Sequence, residues 1–136
     1  MIELANRYLL AGVDAETGLL TSLSGAKGGP NLIQAPRLVY CEKEGGTWHG
    51  YDALRTDLIP IPCLGVTQRA DRITARFQDE NLAMEIRYTL PAASSLLVIE
   101  TKVRGCARKA TGLTQVALPG FTWAADFLDA FVCQAS

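Results

Sequence analysis

Apolar and polar residues alternate most regularly in the middle of the chain. Within Arg72–Gln78 every second residue is apolar, which is the two-residue period of a β-strand with one solvated face. Leu82–Leu90 repeats the alternation after a predicted turn at Asp79–Asn81. Pro91 is expected to end this second strand, because proline cannot donate to a central ladder. Leu96–Arg104 predicts a third strand, and the three together predict an antiparallel meander.

The N-terminal region predicts a separate hairpin. Tyr8–Val13 and Leu19–Leu23 are apolar runs, and the linker between them begins with Asp14 and ends with Gly18. An aspartate can cap the backbone of a turn and a glycine can supply a positive φ, so this linker is expected to be a tight connection. Gly25–Pro30 follows with three glycines and a proline, and predicts a loop.

The remaining patterned segments are shorter. Arg37–Cys41 and Cys63–Arg69 each predict a strand. Thr111–Leu118 predicts a last strand, closed by Pro119–Gly120. In Trp123–Val132 the large apolar residues stand at helical spacing, so this tail can form a short amphipathic C-terminal helix.

Composition and charge narrow the fold and the class of partner. The chain has 136 residues, of which 49% are apolar and 20% charged, enough for one hydrophobic core. We expect a single all-β, mainly antiparallel domain over residues 1–136, a β-sandwich or part of a supersandwich. The net charge is −1 and no run of like charges occurs, so no electrostatic footprint for nucleic acid or for an anionic membrane is predicted.

The N-terminal sequence and the length of the apolar runs indicate where in the cell the protein is expected. Glu3 stands where a secretory signal would carry positive charge. No apolar run approaches the roughly 20 residues that span a bilayer. A cytoplasmic protein without membrane association is therefore expected.

The cysteines do not predict a metal site. Cys41, Cys63, Cys106 and Cys133 are widely separated, and no C-x-x-C pair occurs. Structural zinc sites normally draw on closely spaced pairs, so we expect neither a metal nor another cofactor. Two disulfides remain an alternative, although small, partly buried thiols are the expected state.

Candidate binding chemistry concentrates in one irregular segment. Thr47–Asp52 crowds aromatic, imidazole and carboxylate groups together, and includes the only histidine. Aromatic rings can pack against sugar C–H bonds while polar neighbours bind hydroxyls. The predicted ligand-binding residues are Trp48, His49, Tyr51, Asp52 and Arg55. The alternative, in which the aromatic residues pack within the loop and His49 is simply exposed, stays open.

No residue is assigned a catalytic role. Asp52 with Asp57, and Asp126 with Asp129, are nominal carboxylate pairs for glycoside hydrolysis, but among 14 acidic residues such pairs arise by chance. The nucleophile elbow G-x-S-x-G and the phosphate-loop spacing G-x-x-x-x-G-K-[ST] are both absent from the sequence.

Two stretches resemble the galactose-mutarotase-like supersandwich domains of sugar-processing enzymes. In the first, Leu9–Asp14 and Glu16–Leu23 give a strand, a T-G turn and a strand containing S-L, before a loop with Gly28–Gly29 and Asn31–Ile33. The second is the meander of Arg72–Val103. The resemblance implies a sugar-associated β domain that acts as a scaffold or binding surface. The full domains are considerably longer, and mutarotases use two histidines and a carboxylate, so no catalytic residue is transferred.

Three functional hypotheses follow. The leading one is a noncatalytic carbohydrate-associated β-sandwich domain, which binds sugar or serves as the scaffold of a sugar-processing enzyme. The second is a structural or interaction module that forms a homo-oligomer through strand edges or through the tail. Its predicted interface residues are Trp123, Phe127 and Phe131. The third is a small enzyme that uses His49 with a nearby carboxylate.

Overall fold

The chain folds into β-strands throughout the described part. The computed structural model describes residues 1–42, 59–80, 82–105 and 113–123. Within these ranges there are ten strands and no helix, which confirms the predicted all-β class. The strands are β1 (Ile2–Ala5), β2 (Leu9–Val13), β3 (Leu20–Gly25), β4 (Ile33–Glu42), β5 (Ile59–Pro60), β6 (Cys63–Arg69), β7 (Arg72–Gln78), β8 (Leu82–Thr89), β9 (Val98–Gly105) and β10 (Leu113–Trp123).

The described strands form antiparallel sheets. Their orders are β1-β2-β3, β10-β4-β5 and β6-β7-β8-β9. Every pairing is antiparallel. The largest sheet contains the meander that the alternating pattern predicts, and β8 ends at Thr89, just before Pro91. The two-residue period therefore predicts this part of the fold correctly.

One hydrophobic core joins the first sheet to the four-stranded sheet, which gives a sandwich-like arrangement. The alternate residues of β7 and β8 point into this core and are buried, as their pattern predicts. The buried cluster includes Leu4, Ala11, Val13 and Leu20 from the first sheet, and Ile73, Ala75, Phe77, Leu82, Met84, Ile86 and Tyr88 from the four-stranded sheet.

The turn between β2 and β3 has the chemistry expected from its sequence. The Asp14 Oδ1 atom accepts backbone N–H bonds from Glu16 at 2.8 Å and from Thr17 at 2.7 Å. Gly18 has a φ of 69°, in the left-handed region that glycine adopts without a steric penalty. The predicted aspartate cap and glycine turn are both confirmed.

Tyr88 connects this turn to the four-stranded sheet. Its hydroxyl donates a 3.0 Å hydrogen bond to the Gly18 carbonyl oxygen, and its ring is fully buried. Burial raises the pKa of the Tyr88 phenol well above its usual value, because the charged form would lose its hydration. The hydroxyl therefore keeps its proton and remains a donor.

Asp14 makes the stability of the protein depend on pH. Hydrogen bonds from the Thr17 and Glu16 backbone lower the pKa of Asp14 below its usual 3.8. A lowered folded-state pKa stabilises the fold above the unfolded pKa, and this contribution is lost as the pH falls through the folded pKa. We expect Asp14→Asn to have a lower Tm than the wild type at neutral pH, with the difference vanishing in acid. Thermal unfolding of both proteins across this pH range measures the effect, and a pH-independent difference would contradict it.

The last strand extends beyond its predicted bounds. β10 continues through Pro119 and Gly120 to Trp123, so the predicted stop at Pro119–Gly120 is wrong. The pairing of β10 with β4 shifts register between Ala117 and Gly120, and Pro119 lies in that irregularity. Proline is tolerated there because β10 is at an edge of its sheet, and a residue within a bulge need not donate to the ladder.

The predicted C-terminal helix does not begin at Trp123. This residue pairs with Ile33 at the end of β10, so its backbone is extended. Sheet pairing with β4 therefore sets the backbone conformation at Trp123 itself. The rest of the predicted helix, including Phe127 and Phe131, lies outside the described residues and stays a prediction.

Candidate functional site

The residues predicted to bind a ligand lie outside the described part of the chain. These are Trp48, His49, Tyr51, Asp52 and Arg55. In the predicted interface, Trp123 is placed only as the last residue of β10. Cys63 is a free, half-buried thiol, as expected for the cysteines. The described residues offer a different candidate surface, on the four-stranded sheet.

The four-stranded sheet has one face in the core and one face in solvent, here called the outer face. The register places Arg76, Glu85 and Lys102 side by side on β7, β8 and β9. Residues two positions away along each strand share this face, because side chains alternate across a strand. The charged residues of the outer face are Arg69, Arg72, Arg76, Arg87, Lys102 and Arg104, together with Glu85 and Glu100.

The outer face is strongly basic although the whole chain is not. Six cationic side chains against two carboxylates give it a net charge of +4, whereas the whole chain carries −1. No run of like charges occurs in the sequence, so the order of residues along the chain does not predict this surface. The cations stand apart along the chain, and only the strand register brings them together.

Glu85 organises the centre of the outer face. Its Oε2 atom lies 3.6 Å from Arg76 Nε, and its Oε1 atom lies 2.6 Å from Arg87 Nε. Each such pair contributes under about 1 kcal/mol at a solvent-exposed position. Their main effect is to fix the direction of two guanidinium groups.

A groove of about 400 Å³ lies beside this network. Small-molecule sites typically occupy roughly 300–1,000 Å³, so the groove is large enough for a ligand. The exposed Leu64 lies within a register shift of β6, between Cys63 and Gly65. No atom lies within 4 Å of where a Gly65 Cβ would stand. The groove is lined by Leu64, Arg76, Phe77, Gln78, Ala83, Met84, Glu85, Lys102, Val103 and Arg104.

Two cations in the groove remain available to a ligand. In the part of the chain that the structure describes, the Lys102 ammonium and the Arg104 guanidinium form no hydrogen bond or ion pair. Both side chains are exposed. Together with the Glu85 carboxylate and the Gln78 amide, they give the groove charged donors, an anionic acceptor and a neutral group that can do both.

A smaller concavity of about 250 Å³ lies where β1 approaches the β6–β7 turn. Glu3 and Asp71 line it, and Gln68 Nε2 donates to the Glu3 carbonyl oxygen at 3.0 Å. Over the described ranges, no group of three or more His, Cys, Asp or Glu side chains could hold a metal ion. This concavity therefore has less binding chemistry than the groove.

Among residues 1–42, 59–80, 82–105 and 113–123, no helix is long and apolar enough to cross a membrane. Comparison of the chain with protein-family models, with curated proteins and with solved structures finds no match in any of the three.

Proposed function

We propose that the chain is a noncatalytic, carbohydrate-associated β-sandwich domain that holds a glycan in the outer-face groove. The observation that carries the proposal is the groove itself, where Lys102 and Arg104 offer free donors and Glu85 offers a carboxylate. Sugar hydroxyls donate and accept hydrogen bonds at the same time, so a glycan surface needs both kinds of group. The ligand-binding role of Trp48, His49, Tyr51, Asp52 and Arg55 stays a separate prediction.

The segments that resemble the supersandwich domains support the proposal. They form the β2–β3 hairpin and the loop after it, with positive φ at Gly28 and Gly29. Asn31 holds that loop against β3, because its Oδ1 atom accepts the Leu23 N–H and its Nδ2 atom donates to the Thr21 carbonyl oxygen. A strand, a glycine turn, a strand and a glycine loop thus follow in the order on which the resemblance rests.

Thermal unfolding against a panel of neutral and charged glycans tests the proposal. A ligand at 100 times its dissociation constant adds about 2.7 kcal/mol to the free energy of unfolding, enough to raise Tm by several degrees in a domain of this size. We expect at least one glycan to produce such a shift. Glu85→Ala should reduce the ligand-induced shift, because it removes the acceptor and releases Arg76 and Arg87.

Lys27→Ala is the matched control for the glycan panel. Lys27 is an exposed cation in the β3–β4 loop and belongs to none of the strands of the four-stranded sheet. Its removal should leave the ligand-induced shift unchanged. The absence of a shift with every glycan would overturn the proposed function, and an undiminished shift in Glu85→Ala would place binding elsewhere on the chain.

Self-association through β9 is the second candidate function. Among the described strands β9 is an edge of its sheet, and Leu96, Val98 and Val103 in or beside it are exposed. An exposed apolar edge strand can pair with a second copy. Lys102 and Arg104 on the same strand oppose such pairing by charge repulsion, which places this function second. A dimer by ultracentrifugation, without any glycan shift, would reverse the order.

A further inference from the structure

We infer that the outer-face groove selects anionic glycans, meaning polymers whose sugars carry carboxylate or sulfate groups. This inference rests on the proposed function and names its ligand class. The property that distinguishes the groove from the rest of the molecule is charge, because it belongs to a +4 face on a chain of net charge −1.

The cations of the outer face are close enough to act together. Neighbouring strands lie about 4.8 Å apart, and residues two positions apart on one strand are separated by roughly 6.5 Å. Both distances are shorter than the Debye length of about 8 Å at physiological ionic strength. A linear polyanion that crosses β7, β8 and β9 therefore interacts with several of these cations at once, on a face whose net charge is +4.

Internal pairing leaves much of this charge uncompensated. Arg76 and Arg87 share the single carboxylate of Glu85. Over the ranges that the structure describes, Lys102 and Arg104 have no carboxylate within ion-pair distance, although Glu85 is the direct cross-strand neighbour of Lys102. Arginine binds carboxylate and sulfate oxygens through two parallel N–H bonds, whereas lysine acts as a point charge. The groove offers one arginine and one lysine, Arg104 and Lys102, both from β9.

The other side chains of this face favour a glycan over a nucleic acid. Single-stranded nucleic acid binds by stacking its bases on aromatic rings, and a duplex is read by a helix or a ribbon that enters a groove. The described outer face has no aromatic residue. It presents hydroxyl and amide groups, among them Thr67, Thr74 and Gln78, which suit sugar hydroxyls.

The lack of an exposed aromatic ring on the described outer face also favours anionic over neutral glycans. Neutral sugars bind proteins largely through stacking of C–H bonds on aromatic faces. Phe77 is the aromatic residue in the lining of the groove, and it is only 2% exposed, so its ring offers almost no face for stacking. Affinity must therefore come from charge-assisted hydrogen bonds, which are roughly twice as strong as neutral ones. A neutral glycan would gain little from Lys102 and Arg104.

Calorimetric titration of the full chain with four polymers tests the inference. The polymers are polygalacturonate, dextran sulfate, unmodified dextran and an oligothymidylate, each at low and at physiological salt. We expect polygalacturonate or dextran sulfate to bind at least tenfold more tightly than dextran and the oligonucleotide, because two charge-assisted contacts are available only to the anionic glycans. The Lys102→Gln/Arg104→Gln double variant should lose about tenfold or more of that affinity. Lys27→Gln should lose none.

Each alternative result has a defined meaning. Equal affinity for dextran and the anionic glycans would overturn the inference and leave the proposed function standing. Equal or tighter binding of the oligonucleotide, with the same loss in the double variant, would overturn it in favour of a nucleic-acid surface. Unchanged affinity of the double variant would overturn it by placing the anionic contacts elsewhere. Binding to none of the three glycans would overturn the proposed function together with the inference.

Discussion

Gly18→Ala is expected to lower the free energy of unfolding by about 2–5 kcal/mol, through backbone strain and overpacking together. The φ of 69° at Gly18 places an alanine in the left-handed region, which costs about 1–2 kcal/mol for an L-residue. An added Cβ would stand 2.7 Å from Phe77 Cζ, 2.9 Å from Cys63 Sγ and 3.0 Å from Ala75 Cβ. Phe77 and Ala75 are buried and have no room to retreat, so overpacking adds about 1–3 kcal/mol.

Urea unfolding of Gly18→Ala beside two other glycine variants separates these causes. Gly28→Ala carries a positive φ in open space and reports the backbone cost alone. Gly65→Ala has neither a positive φ nor a close neighbour, so it should change stability by no more than about 0.5 kcal/mol. If Gly18→Ala cost no more than Gly28→Ala, the close packing of the β2–β3 turn against β6 and β7 would be contradicted.

The sequence predicts the four-stranded sheet well because the signal is local. An antiparallel strand with one solvated face alternates with a period of two, so Ile73, Phe77 and Ile86 reveal their burial through their neighbours alone. The Asp14 and Gly18 turn is predicted for the same reason. Its hydrogen bonds and its positive φ are set within a few residues.

Strands whose limits depend on distant partners are predicted poorly. β1 (Ile2–Ala5) is too short to show a period, and it forms by pairing with β2. β10 continues past Pro119 because its partner β4 continues beside it and a register shift accommodates the proline. Neither pairing leaves a signature in the local sequence.

The same difference between local and long-range signals applies to the candidate site. The residues predicted to bind a ligand are neighbours along the chain, which is why the sequence alone can indicate them. They are Trp48, His49, Tyr51, Asp52 and Arg55. Groove residues such as Arg76, Glu85 and Lys102 come from three strands, and they become neighbours only once the register of β7, β8 and β9 is known. A mixed charge pattern in the sequence therefore conceals a basic surface in the fold.

Asn6→Asp is expected to cost about 2–3 kcal/mol of unfolding free energy at neutral pH, because it replaces two satisfied donors by a charged acceptor. The Asn6 Nδ2 atom donates to the carbonyl oxygens of Pro91 at 2.8 Å and Ser94 at 2.7 Å. Its Oδ1 atom accepts the N–H groups of Tyr8 at 2.8 Å and Leu9 at 2.9 Å. Aspartate keeps the second pair of bonds but sets a carboxylate oxygen against the two carbonyl oxygens. The link between the β1–β2 turn and the loop before β9 is then lost.

Asn31→Asp is the matched control for Asn6→Asp, and the pH dependence identifies the mechanism. Asn31 also accepts two backbone N–H bonds but donates to one carbonyl oxygen only, at an exposed position, so its replacement should cost about half as much. The charged carboxylate at position 6 would face the Pro91 and Ser94 carbonyl oxygens, so the destabilisation is expected at neutral pH. It should fade as the pH falls below the unfolded value of about 3.9, where the protonated acid donates again. Urea unfolding of each variant beside wild type, at neutral pH and at a pH below about 3.9, measures this difference. An equal cost at both would show that the charge at position 6 is not the cause.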